Sequence, residues 1–136
     1  MKKMKIKACC VSEDLITSKK TIEISKNNEL IFPFVGIHPG KAEEKIEPVL
    51  ELIKKNASDI AGIGEIGLDP TYVKNESDLQ RQEKLFRSLL SVAEKLQKPI
   101  SIHSRKSLDK IYDIIPSYSL KGMLLHWFDG NKKQLK

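Results

Sequence analysis

Five short apolar runs alternate with stretches in which apolar residues return every three or four positions. That alternation leaves few folds open. The runs are Lys5–Val11, Leu30–Gly36, Ile60–Ile66, Pro99–His103 and Gly122–His126. Each has the length of a buried strand and is bounded by turn or polar residues. Strands and helices in strict alternation predict an α/β fold with a parallel sheet covered by helices. In such sheets the chemistry gathers at the carboxyl ends of the strands, whether the sheet closes into a barrel or stays open.

The intervening stretches carry helix signals. Ser12 offers an N-cap, with Glu13 and Asp14 in the first turn, for a helix running to about Asn27. Ile46, Val49, Leu50 and Ile53 share one helical face, and Pro48 suits a first turn. The box Ser77-Asp78-Leu79-Gln80 opens the longest helix, whose apolar stripe includes Phe86, Leu89, Ala93 and Leu96. Leu108, Ile111, Tyr112 and Ile115 mark another, stopped by Pro116, and Asn131–Lys136 reads as the opening of a further one. Pro33 within the second run predicts an irregular or bulged strand, because proline removes a ladder hydrogen bond.

Composition narrows the class. The chain has 136 residues, 40% hydrophobic and 31% charged, which suits one globular domain. No run approaches the length of a membrane span, and Met1-Lys2-Lys3-Met4 lacks the apolar core of a signal peptide, so the cytoplasm is the expected compartment and no membrane partner is expected. Cys9 and Cys10 are adjacent and would point to opposite faces of a strand, which argues against a disulfide and reads as small core residues. The net charge of +6 is mostly lysine scattered among acids, a solvated surface that would also draw in a polyanion.

Glu65 stands out inside Ala61-Gly-Ile-Gly-Glu-Ile-Gly-Leu-Asp69. A carboxylate in an apolar, glycine-punctuated strand needs a partner. The glycines leave room for a close approach to the backbone. A lysine ion pair would satisfy it. So would a cation held jointly with His103 and His126, which end the next two strands as Glu65 ends its own. Two imidazoles and a carboxylate leave coordination positions open on a divalent metal, which supplies hydroxide near neutral pH. A strand-end histidine can equally be a hydrogen-bonded structural residue.

Val35-Gly-Ile-His-Pro39, Gly64-Glu-Ile-Gly-Leu-Asp69, Ile102-His-Ser-Arg105 and Leu125-His-Trp-Phe128 together resemble the signature blocks of the TatD family of metal-dependent deoxyribonucleases, in family order and spacing. The resemblance runs from about Lys5 to the C-terminus. It implies a TIM-barrel hydrolase that cuts DNA phosphodiesters with two divalent ions (magnesium, manganese or zinc). Glu65 would bridge the metals as the catalytic carboxylate, and His103 and His126 would complete the shell of one. His38 would contact substrate phosphate or support a ligand, unless it only stabilises its loop. Arg105 would hold a phosphate, the alternative being an ion pair with Asp69 or Asp109. Asp69 would orient a ligand or pin the loop.

The same resemblance implies an upstream His-x-His pair and a late aspartate, which this sequence does not contain, its histidines being His38, His103 and His126. The expectation is therefore a single incomplete domain over residues 1–136. It would be a partial TIM barrel of about five parallel strands carrying half of a dinuclear site, since a whole barrel takes about 250 residues. Open sheet edges predict self-association or pairing with a complementary polypeptide, with Ile6, Ala8, Val35, Ile63, Ile100 and Met123 as candidate contributors to an apolar inner face. Two other functions remain open, a non-catalytic interaction module built on the same fold and a related metal hydrolase of small esters or amides.

Overall fold

The computed structural model describes residues 6–134. Strands β1 (Ala8–Val11), β2 (Ile31–Val35), β3 (Gly62–Gly67), β4 (Ile100–His103) and β5 (Met123–His126) form one sheet in chain order. Every neighbouring pair is parallel. Helices α1 (Leu15–Lys26), α2 (Glu47–Lys55), α3 (Glu76–Leu96) and α4 (Leu108–Ile114) alternate with them, giving a half-barrel. Lys5, expected to begin the first strand, lies outside the described residues, as does the end of the expected last helix.

Local chemistry fixes the element starts, at positions slightly different from those read in the sequence. Asp14, not Ser12, caps α1. Its carboxylate accepts from the Thr17 N–H at 2.8 Å, and the Thr17 hydroxyl accepts from the Asp14 N–H at 3.1 Å. Ser12 is committed elsewhere, its N–H and hydroxyl both donating to the Phe34 carbonyl at 3.0 Å. Asn75 caps α3 by accepting from the Asp78 N–H, and Ser77 lies within the first turn. Pro48 is in the first turn of α2 as expected. Pro33 leaves β2 regular. Its carbonyl accepts from the Ala61 N–H, and β2 pairs with β3 only from Phe34 onward, so the missing N–H falls where there is no ladder to break.

Residues in register share a face, and they divide the sheet cleanly. Val35, Ile63, Ile100 and Met123 form one row across β2 to β5. The first three are buried beneath the helices with Ile53, Phe86, Leu89 and Ile111. Burial of each such side chain contributes about 1.5–3 kcal/mol. The row assigned to the inner face therefore lies on the helix-covered face instead. His103 is three residues beyond Ile100, and His126 three beyond Met123, so the period of two puts both histidines on the opposite, concave face. Met123 is 49% exposed, because no described helix follows β5 to cover it.

The concave face is lined by Cys9, Phe32 and Phe34 toward β1 and by Leu124 toward β5, with small residues between. Cys9 is exposed and Cys10 half-buried against Thr21 of α1, so they do take opposite faces, but Cys9 is not a core residue. Gly67 deserves its place for a steric reason. Its φ is +148°, and a Cβ there would run into the His103 carbonyl oxygen. A Cβ on Gly122 would meet nothing closer than Pro99 at 4.0 Å.

Three substitutions test these contacts by their effect on stability. Gly67→Ala should lower stability by roughly 1–3 kcal/mol in denaturant titrations, the range for forced overpacking. Gly122→Ala should stay within about 0.5 kcal/mol of wild type. Asp14→Ala should cost about 1 kcal/mol at neutral pH. Hydrogen bonds from Thr17 hold the Asp14 carboxyl below its ordinary 3.8. The stabilisation is thus complete above that value and lost as pH falls through the lowered one, so variant and wild type should converge at acid pH.

Candidate metal centre at the carboxyl ends of the strands

Glu65 enters the concave face where β3 departs from regular pairing, between the registers Ile63↔Ile100 and Ile66↔Ile102. Its backbone N–H donates to the Ser12 carbonyl, which ties β3 to the end of β1. Gly64 lets β3 approach β4, since a Cβ there would meet the Ser101 Cβ at 2.8 Å. Glu65 is 8% exposed, and its partners are histidines, not a lysine. Oε1 lies 3.2 Å from His103 Nδ1 and 3.2 Å from His126 Nδ1. The register His103↔His126 brings the two rings side by side. All three side chains converge at one end of the sheet, as their positions in the sequence predict.

His38 joins them from the loop after β2. Its Nδ1 accepts from the Gly40 N–H at 3.0 Å, so the proton of the neutral ring is on Nε2, which lies 3.3 Å from His103 Nδ1. It therefore stabilises its loop and faces the site at once. His38, Glu65 and His103 each offer one donor atom within 4.8 Å of the others. His126 reaches the group through Glu65.

Asp69 sets the orientation of His103. One carboxylate oxygen accepts from the Thr71 N–H at 2.9 Å and from the Thr71 hydroxyl. The other lies 2.7 Å from His103 Nε2. Burial pushes the Asp69 pKa up, but the bonds from Thr71 and His103 outweigh it and hold the group below the usual carboxylate value. The ionised carboxylate accepts the Nε2–H, and His103 Nδ1 turns to Glu65. A carboxylate behind a histidine in this manner fixes the tautomer that presents a lone pair to a metal.

Gln82 of α3 holds Asp69 in turn. Its Oε1 accepts from the Asp69 N–H, and its Nε2 donates to the carbonyls of Asp69 and Pro39. Sequence reading missed it, although its signal was present. Gln82 occupies the buried stripe of Phe86, Leu89 and Ala93, where a polar side chain needs partners.

The electrostatics follow from these contacts. The hydrogen bond that Nδ1–H of the protonated His103 ring donates is the main cause holding the Glu65 pKa below its ordinary value, against the opposing effect of burial. Glu65 and Asp69 in return raise the His103 pKa. Burial, then the neighbouring His103, lowers that of His38. Arg105 is exposed and forms no ion pair among the described residues. Asp69 is taken by His103 and Thr71, and Asp109 accepts from Gln134. His38, Glu65, His103, Arg105 and His126 line a cleft of about 490 Å³ that also includes Ser104, Trp127 and Asp129. The buried Ser104 hydroxyl has no hydrogen-bond partner.

The residues fit a divalent ion on donor chemistry, and on spacing the mutually close set is His38, Glu65 and His103, with His126 approaching through Glu65. Donors held about 2.0–2.2 Å from one ion at octahedral or tetrahedral angles lie about 3.0–3.5 Å apart. The separations of 3.2 Å around Glu65 Oε1 fall in that range.

Comparison with known proteins agrees with this construction. An uncharacterized metal-dependent hydrolase of Methanocaldococcus jannaschii is 38% identical over 120 residues, covering 86% of this chain and 45% of that protein. A putative deoxyribonuclease, tatdn3, of Danio rerio is 32% identical over 95% of this chain and 53% of its own length. The 3'-5' ssDNA/RNA exonuclease TatD of Salmonella typhimurium is 28% identical over 88% of this chain and 46% of its own. The chain thus spans about half the length of the curated relatives it matches. The crystal structure of YJJV, a TatD homologue from Escherichia coli, superposes with a TM-score of 0.82 at 23% identity, over 94% of this chain and 51% of that one. No helix among the described residues is long and apolar enough to cross a membrane. The family model described as TatD related DNase matches residues 1–136, and the chain belongs to that family.

Proposed function

We propose that this chain contributes a divalent-metal site for hydrolysis of phosphodiester bonds in DNA. One observation carries the reading. Glu65, His103 and His126 meet at the carboxyl ends of three successive strands, with Asp69 fixing the tautomer of His103. An interaction module with no chemistry would have no use for that aligned tautomer. The names of the Danio and Salmonella relatives point to a polynucleotide rather than a small ester or amide.

Glu65, His103 and His126 would hold the ion, with His38 beside it. When bound, such an ion lowers the pKa of a coordinated water and polarises a phosphoryl oxygen. The chain's own groups do the rest. Asp69 holds His103 in place, and the neutral His38 directs its Nε2–H into the cleft. Arg105, exposed and unpaired among the described residues, offers a guanidinium fork suited to phosphate. The net charge of +6 draws the polyanion toward the cleft.

The chain also presents polypeptide edges that need cover. Among the described residues β1 pairs only with β2 and β5 only with β4, and Leu124 on the concave face is 59% exposed. We infer that these surfaces are covered by a second copy or by a complementary polypeptide. Sedimentation at micromolar concentration should show association of the isolated chain. A compact, cooperatively unfolding monomer would overturn this part of the reading.

Calorimetric titration with manganese or zinc should give one bound equivalent. Glu65→Ala should abolish it, and equal binding by variant and wild type would sink the metal assignment. Asp69→Asn keeps an acceptor for Thr71 but loses the charge behind His103, and should weaken binding about 10- to 100-fold. Proton and metal compete for His103 Nδ1, whose pKa is raised by Glu65 and Asp69. Affinity should therefore fall with falling pH, beginning above histidine's ordinary 6.5.

With one candidate ion site among the described residues, hydrolysis of single-stranded DNA by the 136-residue chain alone should be weak. Robust cleavage abolished by His103→Ala would show that one ion suffices.

A further inference from the structure

Trp127 is the one aromatic residue in the cleft that the proposed chemistry does not use. It follows His126 directly, is 87% exposed and is the only tryptophan in the sequence. Had β5 continued regularly, residue 127 would share a face with Leu125, toward the helices. Its φ of +50° breaks that alternation, and the indole lines the cleft beside Arg105 and His126. The His126 and Trp127 rings meet edge to face with centroids 6.2 Å apart, and the indole nonetheless keeps 87% of its surface exposed. A positive φ is a true outlier for a bulky residue, and backbone of this kind is concentrated at functional sites.

An open indole face beside a guanidinium and a metal-binding cleft has the chemistry to take one nucleotide, with phosphate on Arg105 and base on the ring. Every nucleobase presents a π-face, so such stacking tolerates sequence but requires a base free of its own stack and pair. We propose that Trp127 is a positioning residue on which an unpaired nucleobase stacks next to the bound phosphodiester. The proposal rests on the polynucleotide reading above.

The indole reports its own occupancy. The full chain is titrated in magnesium with 5'-fluorescein-labelled hexathymidylate and with a labelled hexamer of abasic deoxyribose phosphates, following anisotropy for binding. Unlabelled oligomers of the same length are titrated while tryptophan emission is followed. Thymidylate should quench the emission by more than half, whereas the abasic oligomer should bind with little quenching. Trp127→Ala should weaken thymidylate binding about tenfold and leave abasic binding unchanged, and Trp127→Phe should restore much of the loss.

Binding of thymidylate with unchanged emission, or equal quenching by both oligomers, would overturn the stacking role while leaving the polynucleotide reading intact. No binding of either oligomer would overturn both. Blue-shifted emission protected from acrylamide in the free chain would mean that polypeptide covers the indole, and would also overturn the role.

Discussion

The contact between His103 Nε2 and Asp69, 2.7 Å long, holds the centre together. It joins the end of β4 to the loop after β3 and decides which nitrogen of His103 faces Glu65. Without it the ring could turn, and the buried carboxylate of Glu65 would lose its strongest partner and keep only His126. Asp69 is itself held by Thr71 on one side and by Gln82 on the other, and Gln82 also ties down the Pro39 carbonyl beside His38. A chain of hydrogen bonds therefore runs from the buried face of α3 to the imidazole and carboxylate atoms that meet in the cleft.

Sheet geometry supplies the second requirement. Parallel pairing in chain order brings every strand's carboxyl end to the same side, so strand-end side chains on the concave face must converge. Glycine makes the convergence close. At Gly64 and Gly67 a side chain would collide with Ser101 and with the His103 carbonyl, and β3 could not lie as near to β4 as the site demands. The helix-covered face is the opposite in character, with Val35, Ile63 and Ile100 buried in branched aliphatic packing that makes the platform rigid. Stability and chemistry thus occupy opposite faces of the same five strands.

The sequence by itself determined the alternation of strands and helices and the parallel sheet. It also determined that Glu65, His103 and His126 would meet, because each ends an apolar run and a parallel sheet aligns those ends. The match of the four motif blocks to one family was likewise legible in the residues. Tertiary structure decided what local pattern leaves ambiguous. Strands buried on both sides read as nearly continuous apolar runs, so the sequence did not reveal which row faces the helices, and Val35, Ile63 and Ile100 were placed on the wrong side. Ser12 and Asp14 compete for the same cap, and it was pairing with Phe34, 22 residues away, that removed Ser12. The tautomer of His103, the freedom of Arg105 and the turn of Trp127 into the cleft depend on neighbours that only the folded chain brings within a few ångströms.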